Sequence, residues 1–143
     1  MPVHNNEIIT STKNSKIKEV ILLQQKTSER RKNGMFIVEG IREICHCSDS
    51  GFEIDSLYIS DEILKDESSI SKIPCNNIYR VSQDVYNKMA YRGSTEGVIA
   101  IVKRKERTLD SLQLPDNPLI IVLESVEKPG NIGAILRSAD AAG

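Results

Sequence analysis

The residues with the clearest chemical potential lie near the end of this 143-residue chain, in the order Asn-x-Gly-x-x-x-Arg. Asn131 can cap a helix or hydrogen-bond a ligand, while Gly130 and Gly133 allow the backbone to approach another group closely. Helical periodicity puts Arg137 roughly 150° from the centre of the apolar stripe, so its guanidinium is not needed for packing. Because the N-terminal end of a helix attracts anions, this segment predicts a site for an anion such as phosphate.

Several generic motifs can be excluded or set aside. The chain has neither G-x-G-x-x-G nor G-x-x-x-x-G-K-[ST], so a dinucleotide-binding fold and a nucleotide triphosphatase are not supported. Residues 130–133 match the GXXG loop of KH domains, but that loop joins two helices, whereas a strand and a proline precede this one.

The cysteines do not indicate a metal site. The side chains of Cys45, His46 and Cys47 diverge by roughly 100° per residue on a helix, so they cannot close around one ion. We expect the three cysteines to be reduced.

Basic residues are concentrated at the N-terminus. Residues 1–35 contain seven Lys or Arg against three Asp or Glu, although the whole chain carries a net charge of −1. Such a block can neutralise phosphates, but a solvated helix face explains it equally well. The candidate contacts to a nucleic acid are Lys13, Lys16, Arg30, Arg31, Lys32 and Arg92. Tyr91, Arg92 and Ser94 could also stack on or hydrogen-bond an exposed base, with a plain surface loop as the alternative.

The composition is that of a globular protein. Hydrophobic residues make up 39%, and 19 Lys or Arg balance 20 Asp or Glu. No segment approaches the roughly 20 apolar residues that span a bilayer, and the N-terminus lacks the apolar core of a signal peptide. We therefore expect a cytoplasmic protein without a membrane partner.

Apolar periodicity predicts alternating strands and helices. Strands are predicted at 35–38, 54–60, 78–81 and 98–102, and helices at 15–26, from 41 to about 50, 61–66 and 83–89, with a serine-rich loop at 67–72. This alternation indicates an α/β domain with helices on both faces of the sheet. Beyond a basic and proline-containing linker, a buried-type strand is predicted at 119–123 and a helix from about Ile132. We accordingly divide the chain into a basic helical arm (1–34), an α/β domain (35–102), a linker (103–118) and the beginning of a second domain (119–143).

The segment from Lys128 to Gly143, KPGNIGAILRSADAAG, resembles the first signature motif of the SpoU or TrmH-like RNA ribose methyltransferases of the SPOUT superfamily. The upstream segments SxxNxKIKEV, Phe36 to Ile41 (FIVEGI) and Glu96 to Ala100 (EGVIA) resemble the substrate-binding domain of that family. The resemblance implies a small three-layer α/β/α substrate-binding domain, similar to ribosomal proteins. It also implies that the first strand and helix of an α/β-knot methyltransferase domain follow.

The same resemblance implies an activity: transfer of a methyl group from S-adenosylmethionine to a ribose 2′-hydroxyl of ribosomal or transfer RNA. Arg137 and Asn131 correspond to catalytic-site residues of the family, and Gly130, Gly133 and Gly143 to structural glycines of the motif. A guanidinium stays charged at neutral pH and is a poor general base, so Arg137 would better orient a phosphate bidentately and stabilise the developing alkoxide. The family also implies a homodimer.

The later family motifs that bind S-adenosylmethionine do not occur before Gly143. We therefore expect the cofactor site beyond this residue, and the chain to be an inactive piece of a longer enzyme. Two alternatives remain: a non-catalytic RNA-binding module, because the first domain is similar to small RNA-binding proteins, and an oligomerisation fragment without a role in nucleic-acid binding.

Overall fold

The computed structural model describes residues 3–68, 70–91 and 96–143. The chain divides after Glu106 into two compact units. The first contains the strands β1 (Val3–Ile9), β2 (Met35–Glu39), β3 (Ile54–Ile59), β4 (Cys75–Val81) and β5 (Val98–Lys103). Its helices are α1 (Ser15–Gln25), α2 (Thr27–Asn33), α3 (Ile41–Asp49) and α4 (Gln83–Met89), with a short 3₁₀ helix at Ile70–Lys72.

The five strands form one mixed sheet in the order β1-β4-β3-β5-β2. β4 runs parallel to both β1 and β3, whereas β5 runs antiparallel to both β3 and β2. β5 reads VIAIVK, and its first five residues are buried because both of its faces are covered. β2 lies at an edge of the sheet, where all five of its residues are only half-buried.

Alternate residues of the central strands build two separate cores. On one face, Ile99 and Ile101 pack with Ile17, Val20 and Leu23 of α1 and with three buried residues of α4. On the other face, Val98, Ala100 and Val102 pack with Ile44 of α3 and with residues around the 3₁₀ helix. The predicted three-layer α/β/α arrangement is therefore confirmed, since strand side chains alternate between the faces of a sheet.

Local capping explains where two of the helices begin. The Asn14 side chain accepts a hydrogen bond from the backbone N–H of Lys16 at 2.9 Å, at the start of α1. The Ser82 hydroxyl accepts one from the N–H of Val85 at 3.4 Å, at the start of α4. Asn and Ser are both favoured helix N-caps, because their short side chains can accept a hydrogen bond from a backbone N–H of the first turn.

Three elements differ from the sequence-based predictions. The N-terminal arm is not only helical: β1 adds an edge strand that pairs in parallel with β4 through its backbone, and its sequence VHNNEII carries no clear alternation. Residues 61–66 form a turn rather than a helix, since only the N–H groups of Ile63 and Leu64 bond back, both to the carbonyl of Ser60. A 3₁₀ turn lies within the segment predicted to be a serine-rich loop.

The second unit contains a 3₁₀ turn at Leu109–Ser111 and the helix α5 (Pro129–Ala142). The prediction of a buried strand at 119–123 is wrong: these residues adopt no regular structure, and Leu119 is 80% exposed. A strand needs a neighbour for its backbone groups, and the described part of this unit contains no other strand. Among the residues that the model describes, no helix has the length and hydrophobicity to span a membrane.

Candidate functional site

α5 carries both of the predicted catalytic residues, but Asn131 does not cap it. The N-cap is Lys128, Pro129 occupies the first helical turn, and the Asn131 backbone N–H donates to the carbonyl of Lys128 at 3.0 Å. Because proline is well suited to the first helical position, the helix starts earlier than the predicted Ile132. The Asn131 side chain is consequently exposed on the first turn of the helix.

Arg137 extends back toward the N-terminal half of α5. A Cβ atom built on Gly133 would lie 3.8 Å from a terminal nitrogen of Arg137, so the guanidinium passes over the glycine. Arg137 is exposed, and within the described residues it has no carboxylate within ion-pair distance, Asp140 included. Asn131 and Arg137 are six residues apart, which separates them by about 9 Å along the helix and roughly 120° around it. The guanidinium is therefore available to an external anion.

The motif glycines differ in their surroundings. Nothing lies within 4 Å of a Cβ built on Gly130, and Gly143 ends α5 with φ of +96°. Gly133 is the glycine with a specific neighbour, namely Arg137. The opposite side of α5 packs on the preceding segment and encloses a groove of about 280 Å³, lined by Leu119, Ile121, Leu123, Ile135, Leu136, Ala139, Ala142 and Gly143.

The predicted nucleic-acid contacts fall into two groups on the first unit. Lys13 and Lys16 lie at the N-terminal end of α1. Arg30, Arg31 and Lys32 lie on α2, which follows the C-terminal end of α1. The Lys16 ammonium donates to the Tyr79 hydroxyl at 2.7 Å and lies 4.2 Å from that ring's centroid. Lys13 is exposed. Arg92 and Ser94 lie outside the described residues.

Arg30 has a structural role that the sequence did not indicate. Its Nη1 donates to the carbonyls of Leu23 and Gln24, at 2.7 and 3.0 Å, and its Nη2 donates to the hydroxyl of Thr27. These bonds satisfy carbonyls at the C-terminal end of α1, where a cation is favourable. Arg31 and Lys32 are exposed and remain available to a phosphate.

The structure also brings together two Glu-Gly dipeptides that are far apart in the sequence. Glu39-Gly40 ends β2, and Glu96-Gly97 precedes β5. The Gly40 N–H donates to the carbonyl of Val98 at 3.2 Å, and the Ile41 N–H donates to Glu96 Oε2 at 2.6 Å. Gly40 has φ of +104° and is the N-cap of α3, so the dipeptide forms the turn between β2 and this helix.

A cleft of about 760 Å³ lies beside these dipeptides, along the edge strand β2. Its lining includes three carboxylates, one guanidinium and the ring of Tyr91, and consists of Leu23, Gln24, Arg30, Phe36, Ile37, Val38, Glu39, Gly40, Glu43, Tyr91 and Glu96. Neither Glu39 nor Glu96 was predicted from the sequence to be a site residue. The repeated Glu-Gly pair was the available signal, but only the sheet shows that the two copies are neighbours.

Burial affects two of the three thiols. It raises the pKa of Cys47 and that of Cys75 above their ordinary value, because a buried thiolate loses its hydration. All three cysteines are free of disulfides. Burial likewise raises the pKa of Tyr58, which packs in the core against Tyr79.

The first unit is similar to a known family of RNA-enzyme domains. Residues 14–100 match the model of the MRM3-like substrate binding domain. The chain belongs to this family. The resemblance to SpoU and TrmH-like methyltransferases is thereby confirmed, since the relatives of this MRM3-like chain include such enzymes.

Three of these relatives illustrate the similarity. The chain is 27% identical to the Bacillus subtilis 23S rRNA (guanosine(2553)-2′-O)-methyltransferase RlmP, over 94% of this chain and 51% of the relative. It is 37% identical to an RNA 2′-O ribose methyltransferase of known crystal structure, with a TM-score of 0.74, over 96% of this chain and 53% of that one. The fold also matches the SpoU methyltransferase AviRb from Streptomyces viridochromogenes in complex with AdoMet, at 23% identity and a TM-score of 0.77, over 92% and 51% of the two chains. The chain thus spans about half the length of each of these relatives.

Proposed function

We propose that this chain is the substrate-binding domain, and the first part of the catalytic domain, of an S-adenosylmethionine-dependent RNA 2′-O-ribose methyltransferase. The observation that carries the proposal is the exposed Arg137, held over Gly133 on a helix that follows an MRM3-like domain. The relatives named above act on RNA, and one of them acts on a guanosine of 23S rRNA. Ribosomal or transfer RNA is the substrate class that this proposal assigns.

Arg137 would bind and orient the RNA rather than act as a general base. Its planar guanidinium can hold a phosphate through two parallel hydrogen bonds and place the adjacent ribose for reaction. As the 2′-hydroxyl loses its proton, the same positive charge would stabilise the negative oxygen that develops. Asn131, exposed on the first turn of the same helix, would donate or accept a hydrogen bond at the neighbouring nucleotide.

The groove beside α5 does not fit S-adenosylmethionine. The groove of the second unit has a volume of about 280 Å³, and its side chains are all aliphatic, so it offers no side-chain partner for the cofactor's amino, carboxylate and ribose groups. S-adenosylmethionine supplies the electrophilic methyl group in this reaction class. We expect the 143-residue chain to bind no S-adenosylmethionine and to be inactive by itself.

The activity is tested on the longest form of this protein that its cell produces. That form is incubated with labelled S-adenosylmethionine and ribosomal RNA from cells lacking the gene, and methylated riboses are detected by their resistance to alkaline hydrolysis. We expect Arg137→Ala to lower the rate by about 10²-fold and Arg137→Lys to restore it only partly, because lysine cannot bind bidentately. Arg107→Ala removes another exposed arginine of the same unit and should leave the rate unchanged. Equal rates for Arg137→Ala and the unsubstituted protein would contradict the assignment.

Calorimetric titration separates the two parts of the proposal. S-adenosylmethionine added to the 143-residue chain should release no binding heat, whereas the longest natural form should bind it. RNA binding without methyl transfer or cofactor binding in either form would instead support the non-catalytic RNA-binding module. The homodimer and the cytoplasmic location stay predictions, which gel filtration of the long form and cell fractionation would check.

A further inference from the structure

We propose that the cleft beside β2 binds one unpaired guanine base of the RNA, with Glu39 as the acceptor and Tyr91 as the stacking surface. The inference rests on the proposed RNA-binding function of the first unit and adds a base-specific site to it. The cleft volume of about 760 Å³ lies within the range of small-molecule sites, so a nucleobase with its ribose fits.

One carboxylate oxygen of Glu39 has no hydrogen-bond donor in the described structure. Its Oε2 accepts the backbone N–H of Tyr91 at 3.0 Å. Its Oε1 is inaccessible to solvent and has no hydrogen-bond partner among the described residues. A carboxylate oxygen in this state is costly, so an N–H donor from a ligand would be bound favourably. The terminal torsion of glutamate is soft, so a small rotation of the carboxylate would turn Oε1 toward the cleft.

The charge of the lining selects a base rather than a phosphate. Three carboxylates, those of Glu39, Glu43 and Glu96, line the cleft, and the described residues of the lining include one guanidinium. That guanidinium belongs to Arg30, which already donates to the carbonyls of Leu23 and Gln24. A phosphate would therefore be repelled, whereas the neutral donor edge of a base would be attracted. The RNA backbone has cations outside the cleft, because Arg31 and Lys32 are exposed on α2.

The number of donors selects guanine among the bases. Guanine presents its N1–H and its N2 amino group side by side, so both can point at one carboxylate. Adenine and cytosine each place an acceptor nitrogen beside their amino group, and uracil flanks its N3–H with two carbonyls. Oε2 of Glu39 keeps a second lone pair beside its bond to Tyr91, so both carboxylate oxygens can accept from guanine. Tyr91 is 84% exposed, so its ring is accessible for stacking on an unpaired base.

The proposal is tested with the 143-residue chain and fluorescein-labelled RNA decamers, by anisotropy at 50 mM potassium chloride. The decamers are all-uridine, or uridine with one central guanosine or adenosine. We expect the guanosine decamer to bind about tenfold more tightly than the all-uridine one. Glu39→Gln should reduce this preference to less than about twofold, because its amide oxygen still accepts the Tyr91 N–H while its amino group now faces the base.

Two further variants make the result specific. Glu106→Gln removes the same charge from an exposed position of the first unit outside the cleft and should keep the preference for guanosine, since the orphan oxygen of Glu39 remains. Tyr91→Leu should lower the affinity for every decamer by a similar factor, because stacking does not distinguish between bases. Unchanged far-ultraviolet circular dichroism and melting temperature would show that each variant is folded.

Each of the other possible binding results would overturn a specific part of the proposal. Equal, salt-dependent affinities for the three decamers would overturn the guanine site and leave RNA binding by the first unit intact. A preference that survives in Glu39→Gln would overturn the assignment of Glu39. No binding of any decamer would overturn both the site and the proposed RNA-binding role.

Discussion

The carboxylate of Glu96 binds the first residue of α3: its Oε2 lies 2.6 Å from the backbone nitrogen of Ile41. Fifty-five positions separate the two residues in the sequence. The bond satisfies an N–H that has no partner within the helix, and it places a negative charge at the helix N-terminus. It thereby ties the segment before β5 to the turn after β2, which is the wall of the cleft.

Loss of this bond should destabilise the first unit measurably. We expect Glu96→Ala to lower the free energy of unfolding by about 1 kcal/mol, the usual effect of removing a helix cap. Glu96→Gln should cost less, because its amide oxygen can still accept the N–H of Ile41. Glu106→Ala serves as the control, as Glu106 is exposed and has no assigned partner. Urea denaturation gives the free energy of unfolding of all three variants. Equal stability of Glu96→Ala and the unsubstituted chain would refute the prediction.

Gly97 is predicted to tolerate no side chain. Its φ is +83°, and a Cβ built on it would lie 2.6 Å from the backbone nitrogen of Leu64. Gly97→Ala should therefore combine backbone strain with a clash against a buried turn, at about 3 kcal/mol or more. Gly34→Ala is the matched control: Gly34 has a similar φ of +63° but nothing within 4 Å of its Cβ position, so only strain of about 1 kcal/mol remains. Thermal unfolding should rank the two variants in this order, and the reverse order would contradict the close approach.

The thiols of Cys47 and Cys75 should react slowly in the native protein. Burial raises the pKa of each, so less of the reactive thiolate is present at pH 8 than in the unfolded chain. The Cys75 thiol also lies 3.3 Å from the carbonyl oxygen of Asn77 as a donor. We expect iodoacetamide to label both residues roughly tenfold faster in 6 M guanidinium chloride than in buffer. Peptide mass spectrometry of a time course gives the two rates, and similar rates would show that the thiols are accessible.

A pH-dependent contribution to stability should come from the pair formed by Glu67 and Arg80, whose Oε1 and Nη1 atoms lie 2.5 Å apart. The hydrogen bond from Arg80, which also contacts Asp61, holds the pKa of Glu67 below its ordinary value of 4.5. A lowered pKa in the folded state means that the stabilisation is complete above the unfolded pKa and is lost as the pH falls through the folded one.

Glu67→Gln should accordingly destabilise the protein at pH 7 and lose this effect in acid. Because the Glu67 side chain is 58% exposed, solvent screening limits the difference at pH 7 to under about 1 kcal/mol. Guanidinium denaturation at pH 7 and at pH 3 measures the difference from the unsubstituted chain, with Glu106→Gln as the control. A difference that grows toward acid pH would have the wrong sign.

Local patterns in the sequence determined most of the elements of the first unit. The apolar run of β5 and the capped periodic helices α1 and α4 were predictable because their burial and capping depend on neighbours within a few residues. The Asn-x-Gly-x-x-x-Arg spacing likewise indicated the helix that carries Arg137. These features need no knowledge of distant parts of the chain.

Tertiary structure decided the rest. β1 has little hydrophobic alternation and exists because β4 offers its backbone as a partner, while residues 119–123 have strand-like composition and lack such a partner. The cleft depends on Glu39 and Glu96, which are far apart in the sequence and which the pairing of β2 with β5 brings together. Strand pairing and long-range hydrogen bonds join residues that no local spacing relates, so only the folded chain reveals them.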